Sequence, residues 1–338
     1  MTATTVFVSG ATGFIAQHVV KSLLGKGYKV VGSVRSASKG DHLKGLLNSN
    51  DFSYEIVEDV EKVGAFDKAL EAHPEVSVFL HTASPFHFKT SNPEKDLLNP
   101  AINGTKNALN AIQAHGKNVK RVVITSSYAA IATSTKEIDN THTFTEKSWN
   151  EVTWEQATKD PVAGYRGSKT FAEKAAWEFL ELQKPDFELA VVNPSFVFGP
   201  QAFDSEVKDS LNTSSEIINA ILKNGPDADV PASKGGFVDV RDVAAAHIVA
   251  FEKKEAVNQR LILNAGRFAG QDILDILNES FPELKGKIPV GKPGIGPSIT
   301  STLAKVDNSK TIEILGFDLI GLKKTVVDSV KQILDSKK

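Results

Sequence analysis

The chain has 338 residues, 41% apolar and 24% charged, an ordinary globular composition with length enough for two lobes. Its 39 Lys and Arg against 41 Asp and Glu give a formal charge of −2, so there is no basic excess to hold a nucleic acid. No cysteine is present, which excludes disulfides, thiolate nucleophiles and cysteine-held zinc or iron–sulfur sites and suits a cytoplasmic location. Neither a secretory leader nor a membrane span is expected: Met1–Val20 has no Lys or Arg ahead of its apolar stretches, and Val243–Phe251 is short and broken by His247.

Short β-branched runs alternate with helical patterns through the first third of the chain, and such alternation predicts a parallel sheet. Strands are expected at 4–9, 29–34, 53–57, 76–81, 119–126 and 189–193, with helices between them. In the first helix, expected at 15–24, Ala16, Val19, Val20 and Leu23 share one face. Right-handed crossovers then give an α/β fold, a Rossmann-type doubly wound parallel sheet. After Asn193 the rhythm gives way to irregular Pro- and Gly-rich stretches such as KIPVGKPGIGPSIT at 287–300. Residues 1–195 are expected to form the dinucleotide-binding domain, with 236–253 packing back on it, and 196–338 mainly a smaller substrate lobe.

The first strand runs directly into Gly10-Ala-Thr-Gly13-Phe-Ile-Ala16, which opens the first helix, the position a dinucleotide loop requires. Gly10 permits a tight turn, Gly13 lets the backbone approach a pyrophosphate, Ala16 keeps the helix near the sheet, and the helix N-terminus offers unpaired N–H groups. An NAD site would want a carboxylate at the end of the second strand, for the ribose 2′-OH. That stretch instead reads GSVRSASK, where Arg35 and Lys39 can hold a 2′-phosphate, so the expected cofactor is NADPH/NADP+. Asp59, past the third strand, can accept from the adenine amino group.

Further along, Tyr165 and Lys169 stand at i and i+4 and share a helix face with Ala172, Ala176 and Leu180. A free phenol, with a pKa of about 10, exchanges protons poorly near neutrality, and a neighbouring cation lowers that value. Upstream, Thr125-Ser126-Ser127 lies at the C-terminal end of a buried strand, the edge where open α/β sheets bind ligands.

On these residues the chain resembles the extended short-chain dehydrogenase/reductases. The likeness runs through the GATGFIA loop, His81-Thr-Ala-Ser-Pro85, Asn103-Gly-Thr105, TSSY at 125–128, Tyr165–Lys169, Asn193-Pro194, FVDVRDVA, Asp307–Lys310 and Leu315-Gly-Phe317. Within that family HTASPF, TSSYAA, KTFAEKAAWEFLE, FGPQ, LNTS and IPVGKPG are similar to the dihydroflavonol-reductase-like carbonyl reductases, among them the NADPH-dependent methylglyoxal and isovaleraldehyde reductases of yeast. The resemblance implies reduction of aldehydes and ketones (methylglyoxal, branched aldehydes, hydrophobic ketones) to alcohols. Tyr165 would be the general acid, Lys169 its tuner and a ligand of the nicotinamide ribose, and Ser127 the donor to the carbonyl oxygen, with Ser126 as the alternative. Asn103 would anchor a water relay or pack its helix. The cofactor set widens to Thr12, Phe14, Ile15, Val60, Thr82, Ala83, Ser84, Pro194, Val197 and Ser214.

Phe86, Tyr128 and Phe196 would wall an apolar substrate pocket. Ala132, where near relatives carry a bulkier aromatic residue, would widen it. The eight histidines, His18, His42, His73, His81, His87, His115, His142 and His247, include no metal-binding i, i+4 pair and are expected to be surface or structural. Family habit alone implies a homodimer. The rivals are a nucleotide-sugar epimerase or dehydratase of the same superfamily, which NADP preference and an apolar pocket disfavour, and a non-enzymatic NADP sensor, which would lack the Tyr165–Lys169 pair.

Overall fold

In the computed structural model, which describes residues 4–84 and 89–336, the strands are β1 (Thr5–Ser9), β2 (Lys29–Val34), β3 (Phe52–Ile56), β4 (Val76–His81), β5 (Arg121–Thr125), β6 (Thr143–Phe144), β7 (Glu188–Pro194), β8 (Phe196–Phe198), β9 (Lys234–Asp239), β10 (Arg260–Leu263), β11 (Gly266–Ala269) and β12 (Lys305–Val306). Seven of them form one parallel sheet in the order β10-β7-β5-β4-β1-β2-β3. Its strands are apolar on both faces because helices cover both. Val6, Val8 and Leu80 pack toward the helices Phe14–Gly25 and Val240–Glu252, whereas Phe7, Phe79 and Val122 pack toward Asn99–His115 and Pro161–Gln183. The order reverses between β1 and β4, and the crevice at that switch point is where such sheets take their ligand.

Six of these strands lie where the sequence places them. The seventh, β10, is a strand the sequence does not single out: residues 260–263 pair with β7 at the edge of the main sheet. An arginine opens that strand, and its charge hides the apolar pattern that follows; in the fold Arg260 is buried against Glu173, Nε to Oε1 2.5 Å. The strand expected through Ser126 ends at Thr125, which leaves the two serines on the turn beyond it.

The smaller lobe is built on the three-stranded sheet β11-β9-β8, with the helices Thr213–Lys223, Gly270–Ser280 and Leu322–Asp335 around Phe198, Phe237 and Phe268. Buried Asp239 joins the lobes. It caps the helix Val240–Glu252, accepts from Arg241 Nη2 at 2.7 Å and Thr325 Oγ1 at 2.8 Å, and Arg241 reaches on to Asp328. Among the described residues no helix is long and apolar enough to cross a membrane.

Candidate active site

The glycine loop has the backbone its sequence requires. Gly10 sits at φ +65°, and a Cβ there would stand 3.0 Å from Ala83. Gly13 is extended at the N-cap of Phe14–Gly25, a helix end with no side-chain cap and no acidic residue in its first turn. Its N–H groups are therefore available to an anion. Phe14 meets His18 edge-on, Ile15 is half-buried on the main core, and the Thr12 carbonyl accepts from Gln17. One residue missed in the sequence organises this corner. Buried Ser9 Oγ lies 3.0 Å from His81 Nδ1 and accepts from the N–H groups of Thr82 and Ala83, while Thr82 Oγ1 donates to the Ser9 carbonyl, fixing the strand end that leads to Ser84. Ser33 Oγ accepts from Gly10 N at 3.0 Å and ties the loop to β2.

Past β2, Arg35 and Lys39 are exposed and make no ion pair among the described residues. At the end of β3 the Asp59 carboxylate accepts from Glu61 N. The adjacent Val60 carbonyl accepts from Asn107 Nδ2 at 2.9 Å, and the Lys62 carbonyl from the same nitrogen at 3.0 Å. Asn107, one turn after Asn103, thus performs the helix anchoring for which Asn103 is a sequence candidate; Asn103 itself is exposed. These residues fit a phosphorylated dinucleotide: a loop too tight for a Cβ at Gly10, an uncapped helix N-terminus, and two unengaged cations beside the second strand.

The second half of the site rests on the helix Pro161–Gln183. Asp160 caps it by accepting from Val162 N and Ala163 N at 2.9 Å, with Pro161 in the first position. Successive turns then project Tyr165, Lys169, Glu173 and Trp177 along one face. The Tyr165 hydroxyl donates to Ser127 Oγ at 3.2 Å, and Ser127 Oγ also caps the following turn by accepting from Ala129 N. Ser126 turns the other way and donates to Glu173 Oε2 at 2.6 Å. Glu173 also accepts from Asn193 Nδ2, Trp177 Nε1 and Arg260, whose guanidinium lies 3.8 Å from the Trp149 ring centre. Glu173 was legible only as the next i+4 step after Lys169.

Burial sets the charges here. It lowers the Lys169 ammonium to about 8 and His81 to about 4. Burial also raises Tyr165 above an ordinary phenol, while the Ser127 hydrogen bond and Arg166 pull it part of the way back. A neighbouring cation thus does pull the phenol down, as expected, but burial outweighs it. Lys169 Nζ sits 5.9 Å from the Tyr165 ring centre, and the cost of ionising a buried phenol prevails.

Ser127 and Tyr165 face a cavity of about 360 Å³, whose wall includes Tyr128, Pro194, Phe196 and Ser214. Phe196 is 41% exposed, and Tyr128 packs edge-on against Phe144 at 6.0 Å. Two candidates fall elsewhere. Ala132 is fully buried off the cavity wall with Ile131, Phe144 and Ile262, where its carbonyl accepts from Arg166 Nη1. Val197 alternates with Phe196 along β8, which turns its side chain into the main core beside Val238. Phe86, like His87, lies outside the described residues. The cavity also has a polar side the sequence did not single out: Glu137, Arg166, Lys234, Asn264 and Arg267. Of the histidines, His18 meets the Pro200 carbonyl, and buried His247 joins the Val243 carbonyl to Thr125 Oγ1.

A doubly wound sheet with this loop and this Ser–Tyr–Lys corner defines a class, and the chain belongs to it: the NAD dependent epimerase/dehydratase family, whose profile matches residues 6–266. Within the family it is similar to the NADPH-dependent methylglyoxal reductase of Saccharomyces cerevisiae, at 52% identity over 97% of this chain and 98% of that one. Its fold matches the crystal structure of Gre2 from Candida albicans in complex with NADPH, with a TM-score of 0.97 and 58% identity over 99% of this chain and 100% of that one. The yeast methylglyoxal/isovaleraldehyde reductase Gre2 complexed with NADPH matches with a TM-score of 0.96 and 51% identity over 98% and 99% of the two chains.

Proposed function

We propose that this chain is an NADPH-dependent carbonyl reductase that converts aldehydes and ketones, methylglyoxal and branched aldehydes among them, to alcohols. The observation that carries the reading is the Tyr165–Ser127 hydrogen bond of 3.2 Å on the wall of a cavity, in a fold whose first helix opens on an uncapped N-terminus led by Gly13. Gly10 to Ile15 with Thr12, the corner Thr82–Ser84, Asp59, Val60, Pro194 and Ser214 would hold the dinucleotide, and Arg35 with Lys39 its 2′-phosphate. Bound NADPH supplies the hydride that reaches the carbonyl carbon.

The chain's own residues supply the proton and the field. Burial keeps the Tyr165 phenol protonated at neutral pH, so it is loaded as an acid. When a substrate oxygen enters between Tyr165 and Ser127, both hydroxyls donate to it, and negative charge that develops there meets two positioned donors. The phenol proton then passes to that oxygen and completes the alcohol, and the Lys169 ammonium stabilises the phenolate left behind. Asn103, exposed on the helix Asn99–His115, would anchor the water relay that returns a proton from solvent. Phe196 and Tyr128 favour apolar tails.

The reading also places the enzyme in the cytoplasm, in keeping with its cysteine-free composition. Its test is a substrate panel of methylglyoxal, isovaleraldehyde and aryl ketones with NADPH or NADH, followed by absorbance, with a UDP-sugar as control. Consumption of NADPH with the carbonyls and none with the sugar is expected. Epimerisation of the sugar without net NADPH oxidation would replace this reading with an epimerase.

A further inference from the structure

Three neighbouring strands end at the cavity. β5 delivers Ser127, β7 delivers Pro194 and Ser195, and β10 delivers Asn264. The three ends are fastened to one another: Asn193 Nδ2 donates to the Ser127 carbonyl at 3.1 Å, and Ser195 donates through N and Oγ to the Leu263 carbonyl at 3.0 and 2.9 Å. The Asn264 backbone is pinned in turn by Asn308, whose Nδ2 donates to its carbonyl. Its carboxamide has no such engagement. Oδ1 is buried against Gly236 with no hydrogen-bond partner, and Nδ2 finds no acceptor among the described residues. A rigidly mounted amide with both ends unpaired on a cavity wall is uncommon, because such groups are nearly always satisfied.

Building on the reductase reading, we infer that Asn264 is a specificity-determining residue that donates a hydrogen bond to a second oxygen of the substrate, so the cavity favours 1,2- and 1,3-dicarbonyl compounds over monocarbonyls of the same size. Two strand spacings, about 10 Å of backbone, separate the ends that carry Ser127 and Asn264. With a side chain reaching in from each end, the gap suits a short molecule hydrogen-bonded through two oxygens. The two guanidinium groups on the wall are engaged elsewhere: Arg166 with Glu137 and the Ala132 carbonyl, Arg267 with the Thr300 and Ala304 carbonyls.

The test compares Asn264→Leu, similar in size, and Asn264→Asp, which offers only acceptors, with the wild type. The measurements are kcat/KM for methylglyoxal, a 3-oxo ester and isovaleraldehyde, NADPH affinity by fluorescence, and melting temperature. Losing one neutral hydrogen bond costs roughly fivefold. Both variants should lose at least about that factor on the two-oxygen substrates, Asn264→Asp more, while isovaleraldehyde and NADPH affinity change less than about twofold. Equal losses on all three substrates, or no loss on any, would overturn the inference while leaving the reductase reading intact. A wild type that reduces none of the three would overturn that reading instead.

Discussion

At the scale of single residues, the two adjacent serines show what the sequence carries and what it omits. The TSS run at the end of a buried strand marks the place, but spacing cannot say which hydroxyl faces Tyr165, because that depends on where the chain leaves the sheet. β5 ends at Thr125, and the turn sends Ser126 to buried Glu173 and Ser127 to the cavity. Ser127→Ala should therefore lower kcat by roughly a hundredfold or more, the scale of losing one preorganised donor. Ser126→Ala should keep turnover within a few-fold and instead cost about 1 to 3 kcal/mol of stability, because a buried carboxylate loses a partner. Kinetics and melting curves on both variants separate these outcomes; the reverse pattern would exchange the serines' roles. Lys169 sets a pH dependence. Its ammonium, lowered by burial to about 8, is lost as pH rises through that value, so kcat/KM for NADPH should fall on an alkaline limb near pH 8. Stability should move the other way. Between about pH 8 and the ordinary lysine value of 10.5, the unfolded chain binds a proton that the folded site has lost, so this group stabilises the fold as pH rises. A flat activity profile to pH 9 would remove Lys169 from the reaction.

At the scale of elements, the backbone of the glycine loop was legible, because each glycine answers a local demand: a positive φ against Ala83 at Gly10 and a bare helix start at Gly13. The helix Ala37–Leu47 begins directly after Arg35 and carries Lys39 in its first turn. Both cations are exposed and unpaired among the described residues, which suits a 2′-phosphate that NADH lacks. Arg35→Ala should raise KM for NADPH by roughly 10- to 150-fold, the equivalent of about 1.5 to 3 kcal/mol for a charge-assisted hydrogen bond, and leave NADH nearly unchanged. Lys39→Ala should do less, since an exposed ammonium is more screened. Equal losses with both cofactors, in side-by-side steady-state kinetics, would assign Arg35 to the fold or to the shared adenosine. β10 is the contrasting case. Its arginine reads as surface charge until the fold supplies Glu173 and the Trp149 ring, partners about 90 and 110 positions away in sequence.

At the scale of the whole molecule, the proposed reacting pair, Ser127 on the turn after β5 and Tyr165 on the helix Pro161–Gln183, belongs to the larger domain, whereas much of the cavity wall, Phe196, Ser214, Lys234 and Arg267, comes from the smaller lobe. The two are held in register by Asp239, Arg241 and Thr325. Local patterning revealed the sheet, and it marked the candidate Ser127–Tyr165–Lys169 corner, because both are written in short windows. The polar half of the cavity escaped notice because Asn264 and Arg267 share a cavity with Ser127 only through the tertiary fold. Delivery of the proton by Tyr165 is checked by Tyr165→Phe, which removes the hydroxyl and keeps the ring. NADPH oxidation with methylglyoxal, measured beside NADPH binding by fluorescence, should show turnover down by at least about a hundredfold with cofactor affinity preserved. A variant that turns over like the wild type would contradict the account.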